Sequence, residues 1–145
     1  MAARILVEHW SSTAIVTRGR VHATAKLPGF IAWQHGQPLG LLTYRPSADE
    51  CEIISLNSLA PGQGIGSSLI SAVKERATEL RCRRLWLITA NDNTPALRFY
   101  QKRDYRLVAV YRDALVTTRA IKPELSYIGL DGIPLHDEIE LELIL

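Results

Sequence analysis

The fold this sequence predicts is a mixed α/β domain with one mixed sheet, in which an antiparallel meander leads into a strand–helix–strand unit. Three observations predict it. Short apolar runs separated by turn residues fill the first third of the chain. A glycine-rich segment and then an amphipathic stretch occupy the middle. The run Leu85-Trp86-Leu87-Ile88-Thr89 follows without alternation, as expected of a strand covered on both faces.

Residues 1–145 are expected to form one domain, a length that sustains its own core. Hydrophobic residues make up 47% and charged residues 22%, which excludes a disordered or collagen-like chain. The formal charge of +2 gives no argument for nucleic acid or an anionic membrane. Between Lys74 and Arg106 nine bases face four acids, read either as solvated faces or as a basic surface near an anionic ligand. Few aromatics interleave those bases, so no nucleic-acid partner is expected. Cys51 and Cys82 lack any CxxC spacing, so buried thiols are expected and no metal site. Arg4, Glu8 and His9 interrupt the first apolar run, unlike a signal peptide. No stretch approaches the ~18 apolar residues of a membrane span. A cytoplasmic protein without a membrane partner is the expectation.

Arg4 to Trp10 reads as a first strand. Phe30 to Trp33 and Leu39 to Tyr44 flank His35-Gly36-Gln37-Pro38, a hairpin signal with a four-residue turn. Pro46 to Asp49 reads as a second turn, and Glu50 to Leu56 as the next strand. Ser67 to Leu80 sets Leu69, Val73, Ala77 and Leu80 on one helical stripe. The strands at 50–56 and 85–90 are then expected to run parallel, joined by that helix. Pro95 to Arg103 reads as a short helix, with Pro95 in its first turn and Asn93 or Thr94 as cap. Leu107 to Tyr111 reads as a strand. In the final strand Ile139, Leu141 and Leu143 alternate with Glu138, Glu140 and Glu142, predicting an acidic outer face and a half-exposed edge open to a homodimer. Residues 113–136 read as a long connection of the kind that often covers a site.

Pro61-Gly62-Gln63-Gly64-Ile65-Gly66-Ser67 sits between a strand and a helix. Glycines let the backbone approach a ligand, and the helix start adds unpaired N–H groups and a positive dipole end. That combination suits a phosphate or pyrophosphate. A Walker loop is excluded because no Gly-Lys-Ser/Thr ends the stretch. A dinucleotide fingerprint would need glycine where Ser67 stands.

Three features together resemble the GNAT superfamily of N-acetyltransferases. Leu56 to Ser67 is similar to the family's acetyl-CoA segment, with Gly64 and Gly66 on its two small positions and Pro61 where Gln or Arg is usual. Asn93-Thr94-Pro95-Ala96 through Tyr100 is similar to the Asn-x-x-Ala-x-x-x-Tyr segment. Phe99 to Tyr105 is similar to a segment that usually ends Gly-Phe, with Asp104 in place of the glycine. Aspartate tolerates the left-handed conformation better than most residues, so the helix stop is expected to survive.

The resemblance implies direct transfer of an acetyl group from acetyl-CoA, the cosubstrate, to an amine acceptor. It places the backbone of Ile54, Ser55 and Leu56 against the pantetheine amides, where the two parallel strands splay. It places the N–H groups of Gly62, Gln63, Gly64, Ile65, Gly66 and Ser67 at the pyrophosphate, and Asn93 at the pantetheine arm. Tyr100 is the candidate general acid, since a phenol with pKa ~10 is protonated at neutral pH. Glu52 is the candidate base and Glu50 the second; alternation without a bulge puts both on one face and favours neither. His136 is either a lining residue of the acceptor pocket or a turn residue. A non-catalytic acyl-CoA-binding module and a nucleotide-binding enzyme are the competing readings.

Overall fold

The structure, a computed structural model, describes residues 27–59, 62 and 64–145 together with the strand backbones 14–17 and 20–23. The strand expected over Arg4 to Trp10 lies outside the described residues. In chain order the elements are β1 Ala14–Thr17, β2 Arg20–Ala23, β3 Gly29–Gln34, β4 Gln37–Ser47, β5 Glu50–Ser58, α1 Ile65–Glu79, β6 Arg84–Ala90, α2 Thr94–Gln101, β7 Arg106–Tyr111, α3 Ala114–Ile121 and β8 Glu138–Ile144. β1 and β2 form a two-stranded sheet, and the others a six-stranded sheet in the order β3-β4-β5-β6-β8-β7. The mixed α/β class is as predicted. The chain divides into two compact units. The first holds β3, β4, β5 and α1; the second holds α2, β7, α3 and most of β6 and β8.

In the first unit the β3–β4 hairpin turns on two residues rather than four. Gln34 already pairs with Gln37, and both His35 (φ 51) and Gly36 (φ 76) are left-handed. Two consecutive positive φ values give the turn whose twist matches the strands it joins. The second turn is also shorter than predicted. Pro46 stays in the ladder opposite Cys51, and Ala48 and Asp49 make the turn between Ser47 and Glu50. Proline is tolerated there because it lies near the exposed end of β4.

The register between β4 and β5 slips once. Thr43 pairs with Ser55 but Tyr44 pairs with Ile53, so Ile54 is an extra residue in β5. The assumption of unbroken alternation therefore fails. Cys51, Glu52, Ile53, Ile54 and Ser55 are all buried in succession. Against this sheet α1 buries Leu69, Ile70, Val73 and Ala77, as its periodicity predicts. Leu80, expected on the same stripe, is instead the helix C-cap and 39% exposed. Arg81 (φ 61) ends the helix, and the Cys82 N–H bonds the Ala77 carbonyl at 2.9 Å.

In the second unit Asn93 caps α2, its Oδ1 accepting the Ala96 N–H at 3.3 Å, with Pro95 in the first turn. Asp104 is left-handed (φ 69), and the N–H of Tyr105 bonds the Tyr100 carbonyl at 3.1 Å. This is the helix stop expected of a glycine, made by an aspartate. Residues 113–136, read as a bare connection, contain α3 and a 3-10 turn over Leu130–Gly132. The helix escaped the sequence because Val116, Thr117, Thr118 and Ile121 are β-branched and Asp113 makes no side-chain cap.

The reading of β8 needs the larger correction. β8 lies between β6 and β7, so it has no free edge. Its supposed outer face is inside: Glu138 and Glu140 are each 3% exposed. The Glu140 carboxylate accepts the Tyr111 hydroxyl at 2.6 Å, which offsets part of the cost of burying it. The edge strand at this end of the sheet is β7.

Candidate functional site

The glycine-rich segment leads from β5 into α1. Gly62 (φ 83) and Gly64 (φ 73, the helix N-cap) are both left-handed, and a Cβ on either would meet no atom within 4 Å. The glycines are therefore required by backbone conformation, and the space before them is open. The Ser68 N–H makes its bond to the Gly64 carbonyl at 3.0 Å, so α1 itself holds no acceptor for the earlier amides of Ile65 and Gly66. No acid lies in the first turn. Gly66 and Ser67 fall inside that turn, whereas Gln63 and Pro61 lie outside the described residues. An anion placed here meets a dipole end and N–H donors.

A residue absent from the sequence reading seats this helix. Gly40 on β4 stands beneath the start of α1, where a Cβ would come within 2.6 Å of the Ile65 Cγ2 and 3.0 Å of the Asn57 carbonyl oxygen. A glycine inside a strand signals such close approach. Gly40→Ala is expected to displace the first turn of α1 and lower the thermal midpoint. Adding Ile65→Ala, which removes the nearest obstructing methyl, should recover part of the loss in thermal denaturation, the Asn57 carbonyl oxygen at 3.0 Å remaining.

β5 supplies Ile54, Ser55 and Leu56. Ile54 is the extra residue of the bulge, a feature often found beside active sites. The Ser55 hydroxyl is hydrogen-bonded to Thr43 Oγ1 at 2.5 Å. From Leu56 to Ser58 the strand becomes half-exposed. Glu52 is 4% exposed, opposite Arg45 in the ladder. Glu50 is held by Arg83 at 2.5 Å and Arg84 at 2.8 Å. Both carboxylate oxygens of Glu50 are thus occupied by guanidiniums, a contact alternation alone did not show. Those ion pairs also account for two of the nine bases as structural.

Cys51 is fully buried, and burial, followed by Cys82 and Glu52, pushes its thiol up to about 12. It is an inert core thiol.

In the second unit, Asn93 and Tyr100 stand at opposite ends of α2. The Asn93 Nδ2 donates to Thr89 Oγ1 at 3.0 Å while its Oδ1 caps the helix, leaving one donor hydrogen and one lone pair over. Tyr100 is 5% exposed. Phe99 and Tyr105 meet its ring edge-on at 5.1 and 5.2 Å. Burial, then Tyr105, raises the Tyr100 phenol above its ordinary value, against a smaller pull from Arg103. A phenol so raised stays protonated and acts as a hydrogen-bond donor. Both Cys51 and Tyr100 hold their protons to higher pH when folded. The unfolded chain loses them from about pH 9 upward, so stability is expected to be level below that and to fall as pH climbs toward 12, read by urea denaturation at a series of pH values.

The sequence did not show how the β6–α2 loop is held. The Asn91 Oδ1 accepts the N–H groups of His136 at 3.1 Å and Asp137 at 3.0 Å, and its Nδ2 donates to the Pro134 carbonyl at 2.8 Å. The Asp92 carboxylate accepts the Leu130 N–H at 2.9 Å. His136 is a half-exposed turn residue whose Nδ1 meets Asp137 Oδ2 at 2.8 Å. Asp113, His136 and Asp137 bring potential ligand atoms within 4.8 Å of one another. The Asp137 carboxylate is already taken by the Asp113 N–H and His136, which hold it below the usual range. No described helix is long and apolar enough to cross a membrane.

The model of the Acetyltransferase (GNAT) family matches residues 5–105. The uncharacterized protein YdhI of Bacillus subtilis (strain 168) is 37% identical over 140 residues, 96% of this chain and 88% of that protein. Two solved structures share the fold. A GNAT family acetyltransferase from Elizabethkingia anophelis with acetyl-CoA bound has a TM-score of 0.71 at 23% identity, covering 81% of this chain and 75% of that one. A Bacillus subtilis acetyltransferase in complex with CoA has a TM-score of 0.72 at 20% identity, covering 98% and 83%. By the family model and by its likeness to YdhI, this chain belongs to the GNAT acetyltransferase family.

Proposed function

We propose that this protein transfers an acetyl group from acetyl-CoA directly to an amine. The observation that carries the reading is the pair of left-handed glycines, Gly62 and Gly64, opening onto an acid-free helix start. Family membership and the acetyl-CoA and CoA held by the two solved relatives support it. The residues fit the cosubstrate: the amides around Gly64 suit its diphosphate, and the bulged segment Ile54 to Leu56 suits its pantetheine amides.

Acetyl-CoA supplies the thioester. The amine nitrogen forms the new C–N bond as the C–S bond breaks, and the second proton it then sheds passes through solvent to the departing thiolate. Glu52, directly or through water, takes the proton the ammonium must lose. Tyr100 donates a hydrogen bond to the departing sulfur. Its raised phenol makes full proton transfer to a thiolate unfavourable, so its contribution is stabilisation of charge rather than delivery of a proton. Asn93 fixes the start of α2 and has one donor left for the pantetheine arm.

The test is CoA release from acetyl-CoA across a panel of primary amines, with wild type and Glu52→Gln. Wild type should release CoA only when an accepted amine is present. Glu52→Gln, close in volume, should lose roughly 10²-fold in kcat with the acetyl-CoA KM kept, and regain rate as pH rises and free amine becomes available. Acetyl-CoA binding without transfer to any amine would leave a binding module instead.

A further inference from the structure

We propose that Asn91 and Asp92 are positioning residues for the pantetheine arm: they brace the β6–α2 loop against residues 129–137, so that Asn93, the next residue, meets the arm in one fixed orientation. This rests on the reading of Asn93 as a contact of that arm. Asn93 itself is held only locally. Its Oδ1 caps α2 and its Nδ2 donates to Thr89 Oγ1, so neither bond reaches beyond β6 and α2. Asn91 and Asp92 supply the ties to the rest of the second unit.

The Asn91 Oδ1 spends both lone pairs on the N–H groups of His136 and Asp137, and its Nδ2 donates to the Pro134 carbonyl. The Asn91 N–H adds a bond to the Asp137 carbonyl at 2.9 Å. The same segment is anchored on its other side to the start of α3. There the Leu115 N–H bonds the His136 carbonyl at 3.1 Å, and the Asp113 N–H bonds the Asp137 carboxylate at 2.8 Å. Asp92 makes a second tie. Its carboxylate accepts the Leu130 N–H at 2.9 Å, while its backbone carbonyl accepts the N–H of Thr94, the first residue of α2, at 2.8 Å. One residue thus joins residues 129–137 to the helix start. Gly129 has an extended backbone that any residue adopts (φ −102). A Cβ there would overlap the Asp92 carboxylate, so the glycine leaves room for this tie. A donor held in place before the ligand arrives loses less freedom on binding, and the brace gives Asn93 that advantage.

Calorimetry with two probes tests this: CoA, and 3′-phosphoadenosine 5′-diphosphate, which carries the same diphosphate without the arm. Asn91→Ala should raise the Kd for CoA roughly fivefold and leave that for the fragment within about twofold. Asn93→Ser keeps a capping side chain but removes the amide donor, and should act alike. Because Asn91 acts through Asn93, the double variant should bind CoA no more weakly than Asn93→Ser alone. Asp92→Ala and Gly129→Ala should give smaller losses of the same kind. Asp92→Asn keeps an acceptor for the Leu130 N–H and should bind as wild type. Asn91→Asp sets a carboxylate oxygen against the Pro134 carbonyl and should not. Far-UV circular dichroism checks folding, and the Asp92 pair carries the test if Asn91→Ala does not fold. Equal losses for CoA and the fragment, or additive losses in the double variant, would overturn the proposal. A wild type that binds CoA yet acetylates no amine would sink the transfer reading and leave the brace standing.

Discussion

Tyr100→Phe is expected to lower kcat by roughly 10²-fold and to leave the acetyl-CoA KM within about twofold. The substitution removes a hydroxyl and little else. The phenyl ring keeps its edge contacts with Phe99 and Tyr105, and the bond from the Tyr105 N–H uses the backbone carbonyl of residue 100. A fall in rate would therefore report the lost donor, not a disturbed helix end. The raised phenol adds a second expectation. Between pH 7 and about 10 the wild-type profile should show no descending limb from Tyr100, because burial keeps its proton in place there. Unchanged turnover in the variant would return Tyr100 to packing alone.

Gly64→Val should act on binding instead. A β-branched residue at φ 73 is strained by about 1–3 kcal/mol, and nothing nearby obstructs the side chain itself. The chain either bears that strain or rotates the amides at the start of α1 away from the open side. With the new side chain standing over those amides, the Kd for acetyl-CoA should rise at least about tenfold by calorimetry. Gly36→Val is the control. It also places valine at positive φ (76) in open space, but in the β3–β4 turn. It should cost similar stability and leave the Kd alone. Equal loss of affinity in both variants would show a general effect of destabilisation.

Legibility in the sequence followed how local each signal is. The α1 stripe from Leu69 to Ala77, the Asn93 cap and the left-handed Asp104 all depend on residues within one or two turns, and these are where the sequence puts them, Leu80 at the helix end excepted. The glycines at 62 and 64 were legible for the same reason. The bulge at Ile54 was not, because the extra residue exists only relative to β4. Gly40 was silent because its meaning depends on Ile65, twenty-five positions away. In β8 the alternation was read correctly but its faces were not. An alternating acid reads as solvent-facing, and only the strand order, with β8 between β6 and β7, puts Glu138 and Glu140 inside. Glu50 and Glu52 could be told apart only once Arg83 and Arg84 were seen to close on the former.

The surplus residue in β5 makes that strand's length matter more than its composition. Removing the extra residue would leave every existing pair intact, Tyr44 still opposite Ile53 and Arg45 opposite Glu52, and would take away only the local bend. Side chains there can vary as long as they fit. A second added residue would instead widen the bulge or slide Cys51 and Glu52 past Pro46 and Arg45, turning each to the opposite face.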